Sequence, residues 1–476
     1  MLNIEEFISK SKSMLIAPAG YGKTHAIVEC IKKTPTTDKQ LILTHTHAGV
    51  ASIKEKIKKA KISSSLYNVE TITSFAQKYV TAFYKGIDLP QQEDKTYFPF
   101  VISKATEILK KSPISSIVKN SYTNLFVDEY QDCTISQHEF ILILSKILPT
   151  HILGDPLQGI FEFSGQRLID LTNGDQMGDF LSNQYELSEP WRWKKHNREN
   201  LGSDIKSIRS RLLNKQSINF RDFPSIEVKI INELDLFKPS NLYSRGVWGL
   251  LEEPSLLLIH PDSTSINPRL KIISNYGNKF KLVEAIDDKD FYKMAKMIDS
   301  VSKDTIGKNV RDLCLQIFSK TVVNTWFNDN GLKNKSSEND KLLAKPIKED
   351  FTSYKKSPSI SLIADILEKI KKLPKIKCYR SELFNSLLKS INEAEIQNIT
   401  VYDAMINKRN SARRSGRKIF GKCIGTTLLT KGLEFETVAI INAHKFKCPK
   451  NFYVALTRAT IRLVVFTNNP VINPYK

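Results

Sequence analysis

The chain has no long apolar run. Nowhere in its 476 residues do apolar side chains approach 18 in a row, so no segment reads as a membrane-spanning helix. Its opening, Met1-Leu-Asn-Ile-Glu-Glu6, carries acids where a secretory leader needs bases. Paired cysteines are missing too. The six cysteines, at 30, 133, 314, 378, 423 and 448, include no C-x-x-C pair, and none has a histidine at metal-ligand spacing. That speaks against a zinc ribbon and a disulfide framework and leaves reduced core thiols. Together these absences predict a cytoplasmic protein with no membrane contact. Acid is in short supply: 50 Asp and Glu stand against 71 Lys and Arg, a net charge of +21. Such a surplus suits an anionic polymer as partner, since a basic face attracts phosphate whatever its sequence; a lysine-rich solvated surface has the same composition. With 41% hydrophobic and 25% charged residues, the chain is ordinary globular protein, long enough for two or three domains.

What is present begins at Ala17-Pro-Ala-Gly-Tyr-Gly-Lys-Thr24, which follows the apolar Met14-Leu-Ile16 and precedes Ala26, Ile27, Cys30 and Ile31 at helical spacing. Strand, glycine-rich turn and helix are the context of a phosphate-binding loop. Gly20 and Gly22 let the backbone after Ala19 curl its N–H groups inward, and the helix start adds the positive end of its dipole. Lys23 would reach the β- and γ-phosphates, and the Thr24 hydroxyl would take one Mg²⁺ site. Ala17 stands where the pattern has its first glycine, a small change. A second anchor is Asn124-Leu-Phe-Val-Asp-Glu-Tyr-Gln131, a short apolar run delivering two carboxylates. Asp128 would hold Mg²⁺, directly or through water, and Glu129 would orient and deprotonate an attacking water. After His151-Ile-Leu-Gly-Asp155 come Gln158, Phe161 and Phe163; the glutamine could report a γ-phosphate, and the aromatics either stack on bases or pack in the core. His45 and His47 follow the strand-like Gln40–Thr44, where polar contacts to nucleic acid, or plain loop positions, fit better than a metal lacking a third ligand.

These stretches resemble the motifs of the UvrD/Rep/PcrA-type superfamily 1 helicases. Ala17–Thr24 resembles motif I, Thr44–Ala48 motif Ia, Thr71–Phe75 motif Ib, Asp128–Gln131 motif II, and Gly154–Gln158 with Phe161 and Phe163 motif III. Pro190-Trp-Arg-Trp193 stands at motif IV, Thr426–Phe435 resembles motif V, and Tyr453–Ala459 motif VI. The resemblance covers residues 15–190 and 422–466. It implies that ATP and Mg²⁺ are the cofactors, with Gln158 sensing the γ-phosphate and Arg192 and Arg458 as arginine fingers. It further implies that Trp191 stacks on adenine and that Gly432 and Glu434 reach phosphate and ribose. Motifs Ia, Ib, III and V imply a nucleic-acid track over His45, Thr46, Thr73, Phe161, Phe163 and Thr427. Several positions depart from the family. The adenine-reading Gln before the loop is missing, His45 replaces a Phe, Pro156-Leu157 replace acids, Ser164 an Arg and Leu428 a His. The nucleotide pocket is better kept than the track.

The fold expected is α/β: two RecA-like P-loop domains with parallel sheets, plus small helical insertions. Residues 1–75 and 119–185 form the ATP-binding domain, interrupted by a helical insertion at 76–118 where Pro90, Pro99 and Pro113 break the pattern. Residues 186–289 and 421–476 form the second domain, with strand candidates Ile226–Ile231, Leu256–Ile259 and Lys281–Ile286, and 290–420 a reduced, mostly helical insertion. Within it, Asn334–Lys341 reads as a polar linker. Lys408, Arg409, Arg413, Arg414, Arg417 and Lys418 form a basic run that either contacts phosphate or is solvated. The function implied is an ATP-dependent DNA helicase or translocase moving 3′ to 5′ on single-stranded DNA or at a duplex junction. The alternative is a nucleic-acid- or nucleotide-sensing ATPase within an antiphage system, resembling the Gabija type, with a nuclease partner.

Overall fold

Two runs in the first third of the chain, Gln40–Thr44 and Thr150–Gly154, are buried at every position. Strands covered on both faces read as continuous apolar stretches, the mark of a parallel sheet. In the computed structural model they belong to a six-stranded parallel sheet built from β1 (Lys12–Ile16), β2 (Gln40–Thr44), β3 (Tyr67–Thr71), β4 (Asn124–Val127), β5 (Thr150–Gly154) and β6 (Gln184–Glu186), in the order β3-β2-β4-β5-β1-β6. Leu15 of β1 pairs with Leu153 on one side and Tyr185 on the other. A second six-stranded parallel sheet follows from β7 (Glu227–Ile230), β8 (Leu256–Ile259), β9 (Lys281–Leu282), β10 (Lys422–Gly425), β11 (Phe435–Ile440) and β12 (Ala459–Thr467). Its order is β9-β10-β8-β11-β12-β7. The structure describes residues 2–475 except 91–93, 161–165, 238–241, 263, 278, 284–288, 329 and 416–418, with backbone only at 237, 242–244, 289, 291 and 409–415. Phe161 and Phe163, the end of the third strand candidate and most of the basic run lie outside what is described.

Residues 76–118 form no separate body. Helices Ile72–Phe83, Tyr97–Leu109 and Ser112–Ser121 place Val80, Val101, Ile102, Ala105 and Ile108 in one core with Leu41, Leu43 and Leu125 of the first sheet. Pro99 and Pro113 break nothing, because both sit in first turns, where a missing N–H is one the helix leaves unpaired anyway. The region between β9 and β10 has its own core, with Val310, Leu313, Ile363, Leu387 and Ile391 from successive helices. The expected linker is corrected there: residues 338–341 begin the 19-residue helix Glu338–Lys356. Ser337 caps it, accepting from the Asp340 N–H at 3.2 Å, and Glu338 and Asp340 complement the dipole of the first turn.

The core of the second sheet crosses to the first. Ala17, Ala19, Tyr21 and Leu157 are buried together with Trp193, Ile205, Phe452 and Leu463. The carboxyl ends of β1, β4 and β5 therefore face the second body across a closed cleft, which is where open parallel sheets bind ligands.

Candidate functional site: a nucleotide cleft between two sheets

β1 ends at Ile16, and helix α1 (Lys23–Lys33) starts with Gly22 as N-cap. The turn between needs two left-handed positions, Gly20 at φ +78° and Gly22 at φ +96°. Lys23, buried, donates to the carbonyls of Ala17 at 2.7 Å and Pro18 at 3.3 Å, so the ammonium lies inside the loop. The second body sits directly on this loop. The Arg192 N–H donates to Gly20 O at 2.9 Å, and the Ala19 N–H to the Tyr453 hydroxyl at 3.2 Å. A Cβ on Gly20 would meet the Arg192 Cβ at 2.9 Å, so the approach itself requires glycine.

The acid pair stands at the end of β4. Asp128 accepts from the Thr24 hydroxyl at 3.1 Å and from the Glu129 N–H at 2.9 Å. Glu129 turns at φ +57°, an unusual angle for a residue with a Cβ, and its carboxylate takes the Gln131 amide at 2.5 Å. The two carboxyls are driven apart in proton affinity. Burial, then the charge of Glu129, push Asp128 above the usual carboxylate range against the pull of Lys23. Burial works on Glu129 as well, but Lys431, Lys23 and the Gln131 amide outweigh it and hold that carboxyl low. The Thr24 hydroxyl beside the Asp128 carboxylate is an oxygen pair that fits Mg²⁺, an ion that keeps most of its waters and takes few protein ligands. No cluster of three His, Cys, Asp or Glu able to cage a metal occurs among the described residues.

Across the cleft, Arg192 donates to Thr457 O at 2.5 Å and pairs with Glu434 at 2.7 Å. Arg458 is buried and donates to Val454 O, Leu433 O and the Thr457 hydroxyl, each at 3.0 Å. Burial, then the charge of Arg192, push its guanidinium down to about 10. Gln158 donates to Asp155 at 3.0 Å. Trp191 is 40% exposed against the loop at Gly22, with Lys194 Nζ 4.9 Å from its ring centre. Its neighbour Trp193 is wholly buried and donates its indole N–H to Ala459 O at 3.0 Å. Gly432 turns at φ +82° just before Glu434.

Of the residues expected on the nucleic-acid track, Phe161 and Phe163 lie outside the described residues. His45 turns inward, its Nε2 3.4 Å from Cys133 Sγ, and burial followed by the charge of Lys431 brings the imidazole down to about 3, leaving it neutral. Thr46 caps a helix by accepting from the Gly49 N–H, Thr427 is buried, and Thr73 is half-buried. Sequence reasoning gave no role to Asp155, Gln131 and Lys431, although each lies inside a motif. Lys431 donates to the Asp132 carboxylate and the Gln158 carbonyl, joining the second sheet to the first. Arg209 was missed as well, and no local signal marks it.

The UvrD/REP helicase N-terminal domain matches residues 89–175. The chain is 27% identical over 142 residues to an ATP-dependent helicase/nuclease protein of Lactococcus lactis subsp. lactis, covering 29% of this chain and 12% of that protein. It is 28% identical over 149 residues to the exonuclease/helicase protein RexA of Lactococcus lactis subsp. cremoris, covering 30% of this chain and 12% of that one. The Pif1 helicase of Candida albicans overlays with a TM-score of 0.39 at 12% identity, over 98% of this chain and 95% of that. No helix among the described residues is long and apolar enough to cross a membrane. The family match spans residues 89–175 alone, and the chain spans about an eighth of the length of the curated relatives it matches; over that stretch it is similar to the UvrD-like helicases.

Proposed function

We propose that the chain is an ATP-driven motor on single-stranded DNA, its cleft opening and closing once per hydrolysis. The observation that carries this reading is the placement of Arg192: its main chain bonds the phosphate loop of one body while its side chain is held by Thr457 and Glu434 of the other. Lys23 binds the phosphates, Thr24 and Asp128 hold Mg²⁺, and Glu129 takes the proton of the attacking water. Gln158 reads the γ-phosphate. Arg192 and Arg458 bring charge to the transition state only when the bodies meet, which couples chemistry to motion. Trp191 offers a flat face to the base, and Gly432 and Glu434 face phosphate and ribose. The residues proposed to meet nucleic acid are Thr46, Thr73, Phe161, Phe163 and Thr427, with His45 behind them. A direction of 3′ to 5′ follows the family resemblance.

A second nucleic-acid contact is supported by charge. A groove of about 740 Å³ lies beside helix Glu338–Lys356, lined by Lys335, Lys341, Lys345, Lys348 and Lys356 with Glu349 among them. It suits a phosphate backbone. A second reading, an ATPase that regulates a nuclease partner, is favoured by the names of the two Lactococcus relatives, which describe subunits of helicase–nuclease enzymes. The test is the ATPase rate alone and with single-stranded DNA, duplex DNA and RNA. Stimulation confined to single-stranded DNA supports the motor; a rate indifferent to all three sinks it.

A further inference from the structure

Asp155 is fully buried at the end of β5, and the groups around it come from both bodies. From its own side, Oδ2 accepts from Gln158 Nε2 at 3.0 Å and Oδ1 from the Leu157 N–H at 3.3 Å. From the other side, Arg209 approaches Oδ1 with Nε at 3.2 Å and Nη2 at 3.0 Å, and the Tyr453 hydroxyl also hydrogen-bonds the carboxylate. Arg209 stands on helix α2 (Glu199–Leu213), whose Leu201, Ile205, Ile208 and Leu212 are fixed in the core of the second sheet. The cation that neutralises this buried acid thus belongs to the second body.

We infer that Arg209 is a positioning residue which, by docking on Asp155, locks the turn carrying Gln158 and so sets the γ-phosphate-reading amide only when the cleft is shut. The inference rests on the ATPase reading above. The physical argument is one of competition for a single carboxylate. With the cleft closed, Arg209 saturates Oδ1 with two charge-assisted bonds, and the Gln158 amide is confined to Oδ2. With the cleft open, α2 withdraws, both oxygens face water, and the Gln158 amide has no fixed partner. Docking of the second body is therefore reported to the γ-phosphate site through one acid. Because Arg209 acts through Asp155, its loss should leave binding of the base and the inner phosphates alone. What it should remove is the distinction between a nucleotide that carries a γ-phosphate and one that does not.

The test uses the full chain and compares the parent with Arg209→Ala, Arg209→Lys, Asp155→Asn and the double variant Arg209→Ala/Asp155→Asn. Three quantities are measured: kcat and KM for ATP with saturating single-stranded DNA, the ratio of dissociation constants for ADP and a non-hydrolysable ATP analogue, and the melting temperature. Arg209→Ala should lower kcat roughly 10- to 100-fold with KM changed less than about threefold, since it strands a buried charge at the moment of closure. Its ADP-to-analogue ratio should fall towards one. The double variant leaves no charge stranded but has no clamp either, so it should regain melting temperature over Arg209→Ala while its ADP-to-analogue ratio stays near one. Arg209→Lys, which keeps the charge but not the fork, should lie between. An Arg209→Ala chain with parental kcat and parental ratio overturns the inference, and so does a double variant whose ratio returns to the parental value. Misfolding of Arg209→Ala, seen as a lost melting transition, passes the decision to Arg209→Lys: an unchanged ratio there counts against the inference. A parent that binds nucleotide but never hydrolyses it refutes the ATPase reading and leaves the ratio to decide on Arg209. A parent that binds none refutes both.

Discussion

Replacing Glu129 by Gln changes one oxygen for an NH₂ group and removes one charge, so its effects can be worked out group by group. The shape is kept, and the Gln131 amide that donates to Glu129 at 2.5 Å can still be accepted by the new side-chain oxygen. The proton acceptor is lost. General-base catalysis contributes about 10²–10⁴ in rate, or roughly 3–5 kcal/mol of barrier, and hydrolysis should fall by that much. Binding should not fall. The Glu129 charge is the second cause, after burial, of the high proton affinity of Asp128, so neutralising it lowers the Asp128 pKa and frees that carboxylate for Mg²⁺ at mildly acidic pH. Stability should respond with a definite sign. Asp128 is raised, so its contribution is present below the ordinary 3.8 and lost as pH rises through the raised value. Glu129 is lowered, so its contribution is present above the ordinary 4.5 and lost as pH falls through the lowered value. Glu129→Gln deletes the second contribution and weakens the first, and the melting temperature should vary less with pH than in the parent. The assays are single-turnover hydrolysis, equilibrium binding of Mg²⁺ and an ATP analogue from pH 5 to 8, and thermal melting over the same range. Parental hydrolysis would refute the role of base, and abolished binding would make Glu129 a ligand instead.

Lys23→Ala should end turnover and weaken triphosphate binding most, since it removes the buried cation of the loop; a filter-binding assay that finds full ATP affinity contradicts the assignment. Arg192→Ala and Arg458→Ala should each slow hydrolysis by about 10³-fold or more while changing ATP affinity little, as charge that acts in the transition state does; equal losses in rate and affinity would make them ground-state binders. The two tryptophans of motif IV should separate cleanly. Trp191→Ala weakens nucleotide binding with little loss of stability and Trp191→Tyr restores it, whereas Trp193→Ala costs about 3–5 kcal/mol in a denaturant melt, since it empties a buried site and orphans the Ala459 carbonyl. In a strand-displacement assay, the chain alone should separate a duplex of several tens of base pairs poorly; efficient unwinding without a partner would contradict that expectation.

The two sheets and the turns brought together at the cleft were legible because their sequence pattern is local. A phosphate loop must be strand, turn and helix in immediate succession, and the acid pair must end a buried strand, so Ala17–Thr24 and Asn124–Gln131 declare themselves within a few residues. The middle was harder for local reasons of its own. Asn334–Lys341 is polar enough for a linker, and only the cap at Ser337 with acids behind it shows that a helix starts there. Pro99 and Pro113 look like breakers until their place in a first turn is known. His45 has no apolar neighbour in sequence to announce that it turns inward, half-buried, against Cys133. Arg209 was beyond reach altogether, because it meets Asp155 across 54 positions of chain and from another body.

The closed cleft also says how binding energy becomes movement on the proposed reading. Every ionic or polar group meant for the phosphates already has a protein partner: Lys23 the carbonyls of Ala17 and Pro18, the Ala19 N–H the Tyr453 hydroxyl, Arg192 Glu434 and Thr457, Gln158 Asp155. A triphosphate cannot reach the loop without displacing some of these bonds, and each is worth about 0.5–1.5 kcal/mol net, more where a charge takes part. Some lie within one body and are exchanged in place. One, Ala19 to Tyr453, crosses the cleft, so a phosphate that takes the Ala19 N–H breaks a bond between the bodies. Tight attachment of the second body and tight binding of phosphate therefore draw on the same donor. A nucleotide that takes that donor must bridge the two bodies in its place before Arg192 and Arg458 can act on it.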